Sequence, residues 1–284
     1  MSNSKVFVAE FIGTFALVFV GAAAAVYSGI TSLGMGVLGV ALAHGLTVMA
    51  FVYIYGDVSG THINPAVTLG LVLNGTVKWL EALVYWVAQF AGAVVAAFLL
   101  RTFLTLLSPT LFSGAATAGV LSNTTQYPFY YAMGLEALLT FFLVTSILHA
   151  AVDGKAGQFA GLAIGVTYML AILVGGPLTG ASLNPARSFG PALFTSTLDS
   201  NISDYQNPIL YLVYFVGPFA GSIVAVLLYK FFKYEPAIRD DLDEFEDMEV
   251  VEVVEEVVVD EPVKRPARKS VTARKSTSRK KTKK

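Results

Sequence analysis

Ser59-Gly60-Thr61-His62-Ile63-Asn64-Pro65-Ala66 and Thr179-Gly180-Ala181-Ser182-Leu183-Asn184-Pro185-Ala186-Arg187 are two copies of one pattern. Each reads as a loop with a flexible glycine, an Asn N-cap, a Pro at the first helical position, an Ala, and a mostly apolar run. The pattern predicts a helix of about ten to twelve residues, which at about 1.5 Å each rises about 15–18 Å. A bilayer's hydrocarbon core is about 30 Å thick, so each copy predicts half a span. An Asn oxygen that caps the first turn leaves its NH₂ to donate beyond the helix end. Two such helices meeting N-terminus to N-terminus would gather two amide donors and two positive dipole ends around one point near the membrane midplane.

The rest of the chain supplies that membrane. Of 284 residues 55% are hydrophobic, and the mean hydropathy is +0.65. Charged residues make up 14%, against about 25% in soluble domains. The charge is also segregated: twelve of the 19 Lys+Arg and twelve of the 20 Asp+Glu lie after residue 236. Residues 1–236 therefore form the membrane-embedded domain. Residues 237–284 are expected to be a disordered tail, acidic and then basic.

Apolar runs of spanning length fall at about 6–27, 36–55, 79–103, 129–150, 158–176 and 208–232. The intervening stretches 28–35, 104–128 and 195–207 carry loop residues. The N-terminus has no basic region followed by a small-residue cleavage site, so the first run is expected to be a retained span. An internal repeat is visible: Glu10-Phe11-Ile12-Gly13-Thr14-Phe15 is echoed by Glu136-Ala137-Leu138-Leu139-Thr140-Phe141, and each is followed by its Asn-Pro-Ala box. Three spans per half is an odd number, so the halves must insert with opposite orientation and their half-helices enter from opposite sides. The expected fold is all-α: six transmembrane helices and two re-entrant half-helices in an inverted 3+3 repeat. Lys5, Lys78, Lys155, Lys230 and Lys233 then share one side, with Arg101 on the other, which predicts that both termini are cytoplasmic.

Few residues carry chemistry. Arg187 follows the second box inside the membrane; the paired half-helices aim it at water, while an anchor to loop carbonyls is the plainer alternative. Glu10 and Glu136 occupy matching repeat positions and are expected to support the re-entrant loops by accepting backbone N–H groups, while His62 is expected to make a loop-holding hydrogen bond, with a pore-lining place as the alternative. His149 ends the fourth span as an interfacial or pH-responsive histidine. His44 lies mid-span, either packed or lining a polar cavity. With no cysteine there is no thiolate nucleophile and no disulfide. No phosphate loop or metal-ligand cluster appears either, so no cofactor or metal is expected. Gly180-Ala181-Ser182 resembles the Gly-x-Ser motif of intramembrane serine proteases, but its only base, His149, is predicted at a different depth. That leaves an enzyme reading remote, alongside a non-conducting membrane scaffold.

These residues resemble the aquaporin (major intrinsic protein) family over about residues 5–233. The resemblance rests on Ala9-Glu10-Phe11, the runs Ser59 to Gly70 and Thr179 to Gly190, Gln89, and Gly217-Pro218-Phe219. It implies a homotetramer with one pore per subunit. In each pore Asn64-Pro65-Ala66 and Asn184-Pro185-Ala186 flank the midplane, and a selectivity ring is formed by His44, Ile172, Ala181 and Arg187. The ring departs from the strict water-channel pattern, which has an aromatic and a His where this chain has His44 and Ile172. It is similar to the rings of plant vacuolar-type members, which implies water plus small neutral solutes such as ammonia, urea or hydrogen peroxide. Ser188, Ala192 and the pair Tyr214-Phe215 follow water channels rather than glycerol facilitators, the alternative reading. The expected location is the cell membrane rather than an internal one. In the tail, Ser270, Ser276, Thr277 and Ser278 stand among basic residues as candidate phosphorylation points that would loosen a contact with anionic lipid, with a cytoplasmic protein as the other candidate partner. The triplets at Asn123 and Asn201 match the N-glycosylation motif.

Overall fold

The computed structural model describes residues 2–29, 35–107, 128–194 and 206–233. The tail positions Ser270, Ser276, Thr277 and Ser278 and the triplets at Asn123 and Asn201 lie outside the described residues.

Among the described residues the regular structure is all helical, in eight pieces joined by loops. Six are long and apolar enough to cross a membrane: α1 (Asn3–Ser28), α2 (Gly36–Ser59), α4 (Trp79–Leu107), α5 (Phe129–Val152), α6 (Gly157–Thr179) and α8 (Pro208–Lys233). Two are short: α3 (Pro65–Asn74, 10 residues) and α7 (Pro185–Ala192, 8 residues). At about 1.5 Å per residue these rise about 15 and 12 Å. The second is shorter than its apolar pattern predicts, because a tight i→i−3 bond from Phe194 N to the Pro191 carbonyl (2.9 Å) closes its last turn.

The halves follow one plan. α1 packs on α2 and α4, and correspondingly α5 packs on α6 and α8. The half-helices cross over: α3 lies against α8 of the other half, and α7 against α4. Close approach is secured by glycine at equivalent positions. A Cβ at Gly92 of α4 would lie 2.4 Å from the Phe11 carbonyl oxygen of α1, and one at Gly221 of α8 would sit 2.0 Å from the Ala137 oxygen of α5. Small residues that let backbones touch are how helices associate where lipid removes the hydrophobic driving force.

α2 and α6 run past their apolar stretches to Ser59 and Thr179, and both stop at a left-handed glycine. Gly60 (φ 80°) and Gly180 (φ 82°) donate their N–H groups to the carbonyls of Gly56 and Gly176. The cap therefore fixes these ends, and with them the start of each re-entrant loop. Two departures from regular helix were invisible in the sequence pattern: π turns at Leu148–Val152, closing α5, and at Leu212–Val216, inside α8.

Candidate functional site

Both boxes form caps. Asn64 and Asn184 have extended backbones, and their side-chain oxygens accept from Ala66 N (2.9 Å) and from Ala186 N and Arg187 N (3.0 and 3.2 Å). Each amide then reaches across the repeat. Asn64 Nδ2 donates to the Leu183 carbonyl and Asn184 Nδ2 to the Ile63 carbonyl, both at 2.8 Å. The half-helices thus meet at their N-termini. Each NH₂ donates beyond its own helix end, as the cap predicts; one hydrogen goes to the opposite loop and one remains.

The loops are held by the acids of their own half. Glu10 accepts from His62 N (2.8 Å), Ile63 N (2.6 Å), Ser59 Oγ (2.7 Å) and Gln89 Nε2 (2.8 Å). Glu136 accepts from Ser182 N (2.9 Å), Leu183 N (2.7 Å) and Thr179 Oγ1 (2.7 Å). Both carboxyls are wholly buried. With every neighbour a donor, an acceptor-only carboxylate fits each position.

Those bonds hold strained backbone. Thr61, Ile63, Ala181 and Leu183 all have positive φ, between 43° and 56°. The left-handed region costs a non-glycine residue about 1–2 kcal/mol. The strain turns the Ile63 and Leu183 carbonyls toward the two asparagines. Three tyrosine hydroxyls secure further loop carbonyls: Tyr85 on Ser59 (2.7 Å), Tyr214 on Thr179 (2.8 Å) and Tyr168 on Ser182 (2.8 Å).

Of the four ring positions, the structure pairs two directly. Arg187 donates from Nε (3.4 Å) and approaches through a terminal nitrogen (3.2 Å) to His44 Nε2. His44 Nδ1 lies 2.9 Å from the Val40 carbonyl, which can only accept, so Nδ1 carries the proton and Nε2 is the acceptor for Arg187. Tyr168 stacks on the imidazole, with centroids 6.1 Å apart and planes at 8°. Ile172 lies one turn beyond Tyr168 on the same face of α6. Ile172 and Ala181 are both fully buried in the same apolar cluster, and neither has a polar atom to join the His44–Arg187 pair.

The remaining nominated residues sort cleanly. His62 stacks on Tyr85 (4.2 Å between centroids), with Nδ1 3.2 Å from Thr68 Oγ1. Ser182 Oγ donates to the Asn184 carbonyl (2.9 Å) and lies 2.5 Å from Ser188 Oγ. His149 sits instead beside Asp153 (3.5 Å) and the Tyr229 ring, so serine and histidine are not assembled into a hydrolytic pair. Asp153, which sequence reading passed over, is a second centre. Its carboxylate takes Tyr229 Oη and Lys233 Nζ on Oδ1 and faces Lys155 at 3.6 Å through Oδ2. The Lys233 and Tyr229 hydrogen bonds hold its carboxyl well below the usual carboxylate range. The tyrosine hydroxyls were also missed, because an aromatic in an apolar run gives no sign of where its hydroxyl will land.

Comparison with known proteins agrees with this architecture. The Major intrinsic protein (MIP) family model matches residues 1–229. Aquaporin TIP1-2 of Zea mays is 38% identical over 235 residues, covering 80% of this chain and 85% of that protein. Aquaporin AqpM of Methanothermobacter marburgensis is 38% identical over 260 residues, covering 83% and 100%. Among solved structures, the X-ray structure of the aquaglyceroporin from Plasmodium falciparum superposes with a TM-score of 0.67 at 25% identity, over 80% of this chain and 96% of that one. Six apolar spans and a duplicated loop make this an integral multi-pass membrane protein of the channel class rather than an enzyme. The chain belongs to the major intrinsic protein family.

Proposed function

We propose that the chain is a passive channel for water that also admits small neutral solutes and excludes protons and ions. The observation that carries this reading is the crossed pair of asparagines. Each spends one N–H on the opposite loop and keeps one for a passing oxygen, at a point where two half-helix N-termini meet. Each terminus carries about half a positive charge, so a hydronium or metal cation is disfavoured there while a neutral molecule is oriented.

His44, Ile172, Ala181 and Arg187 form the selectivity ring in this reading. Two of the five Arg187 N–H groups point at His44, so in this reading the guanidinium's other donors serve permeants. Ile172 gives the ring an apolar wall, which supports passage of ammonia, urea or hydrogen peroxide beside water. Similarity to Aquaporin TIP1-2 supports a water channel.

Glycerol is the second reading, favoured by the likeness to the Plasmodium falciparum aquaglyceroporin. Against it, Ser188 and Ala192 are fully buried and small, and Ser188 is engaged with Ser182.

Both termini are read as cytoplasmic. Lys155 and Lys233 converge on Asp153, and Lys230 Nζ donates to the Leu73 carbonyl at the far end of α3 (2.9 Å), so these lysines share one end of the bundle. Exposed apolar side chains along α2 (Leu38, Leu42, Leu46) and α6 (Leu162, Val166, Leu170) support contact with lipid or with neighbouring subunits of a homotetramer. Residues 237–284 are read as a tail whose basic block meets anionic lipid or a cytoplasmic protein, and the cell membrane as the location.

The test is stopped-flow light scattering on proteoliposomes, with water, urea, ammonia and glycerol gradients in turn and a pH-sensitive dye reporting proton leak. Fast water flux without proton leak is expected. Water permeability equal to that of empty liposomes would sink the channel reading.

A further inference from the structure

We infer that Gly21, on α1 and outside the four-residue ring, is a positioning residue that sets the ring's selectivity by leaving the space into which His44 folds. This inference rests on the channel reading above.

The imidazole is bounded on four sides. Its own helix holds Nδ1 through the Val40 carbonyl, Tyr168 of α6 stacks on one face, and Arg187 of α7 occupies Nε2. The fourth side is α1. A Cβ built at Gly21 would lie 2.3 Å from His44 Nε2 and 2.6 Å from both Cδ2 and Cε1. Contacts that short are not tolerated, so the ring lies where any other residue's side chain would begin. The atom met first is the one that accepts from Arg187. His44 is itself completely buried, and packed interiors do not absorb such an overlap without moving something.

A methyl at position 21 therefore cannot leave the His44–Arg187 pair as it is. With the Nδ1 edge tied and one face stacked, the imidazole must swing its Nε2 edge away from α1. Arg187 then loses its acceptor, and the displaced ring takes up space in the constriction. Urea, the larger solute, is affected more than water, because a narrowing penalises it first.

The experiment is a double-mutant cycle on proteoliposomes, with Gly21→Ala, His44→Ala and the double variant compared with the wild-type chain for urea and water permeability. Gly21→Ala is expected to lower the urea-to-water ratio by roughly threefold or more, within the range over which contacting residues couple. In the His44→Ala background the same change should have little effect, since the atoms it collides with are gone. An equal effect in both backgrounds would show that Gly21 serves helix packing alone and would overturn the inference, as would an unchanged ratio in Gly21→Ala. If Gly21→Ala does not yield folded protein, the double variant decides: recovery of folded protein supports the steric link to His44, and failure of both overturns it. Loss of the channel reading itself would look different, as a wild-type chain with no water flux at all.

Discussion

Asn64 and Asn184 each donate to the carbonyl of the residue that precedes the other, at the same 2.8 Å. The arrangement ties the two halves of the repeat together at the point where both half-helices begin. It also fixes which amide hydrogen is spent, so the remaining one has a defined direction.

Asn64→Asp follows from this pairing. The aspartate keeps the oxygen that caps α3 but sets a second oxygen against the Leu183 carbonyl. A buried acceptor left without its donor costs about 1–3 kcal/mol. The added negative charge also offsets the positive helix ends. Lower thermal stability in detergent and a measurable proton or cation leak in dye-loaded liposomes are expected; tight exclusion of protons by the variant would remove the helix ends from the barrier.

Glu136→Gln should destabilise the second loop. The glutamine amide nitrogen would face Ser182 N–H or Leu183 N–H, donor against donor, stranding at least one backbone group at about 1–3 kcal/mol. Glu10→Gln should behave alike and should also disturb Gln89, which donates to the same carboxylate. Thermal unfolding of the solubilised variants checks both, and wild-type stability in either would show that its acid does not hold the loop.

Arg187→Val removes the donors facing His44 Nε2 and the only charge at the ring. Larger or charged species such as methylammonium should then leak at rates well above wild type while water still passes. Flux assays with the two solutes check this, and unchanged selectivity would take Arg187 out of the filter.

Asp153 gives a pH prediction. Its folded carboxyl titrates below the ordinary value of about 3.9. Between those two values the unfolded chain binds the extra proton, so stability rises with pH there. The contribution is fully present above about pH 4 and is lost as pH falls through the depressed value. Asp153→Asn should therefore melt below wild type by a constant margin from pH 8 to 5, with the margin shrinking only in stronger acid. A margin that already changes between pH 5 and 8 would mean that another group governs this cluster.

The six spans, the two half-helices and their asparagine caps were legible because each has a strong local cause: apolar length, or Asn followed by Pro. The acids Glu10 and Glu136 stood out as charges that lipid would not tolerate without partners. What could not be read was three-dimensional coincidence. Nothing near Gly21 announces that an imidazole 23 positions away will lie against it. Tyr168 looks like any aromatic in a span, yet it braces both His44 and the Ser182 carbonyl. The apolar pattern after Asn184 also overstated α7, whose end is set by a tight turn at Pro191 rather than by hydrophobicity.

The π turn at Leu212–Val216 gives the sixth span one place where a residue can be lost without rotating its flanks. A wide turn houses one residue more than an α turn, and this one carries Tyr214, whose hydroxyl is bonded to the Thr179 carbonyl. Deleting one residue within this turn would let the segment close into ordinary helix while the stretches on either side keep their facing, whereas the same deletion in regular helix would swing one side by about 100° relative to the other. What is lost is the bulge that carries Tyr214 to the Thr179 carbonyl, while the Gly221 face stays on α5. A one-codon deletion there would cost the second loop a single brace and leave the rest of the span seated.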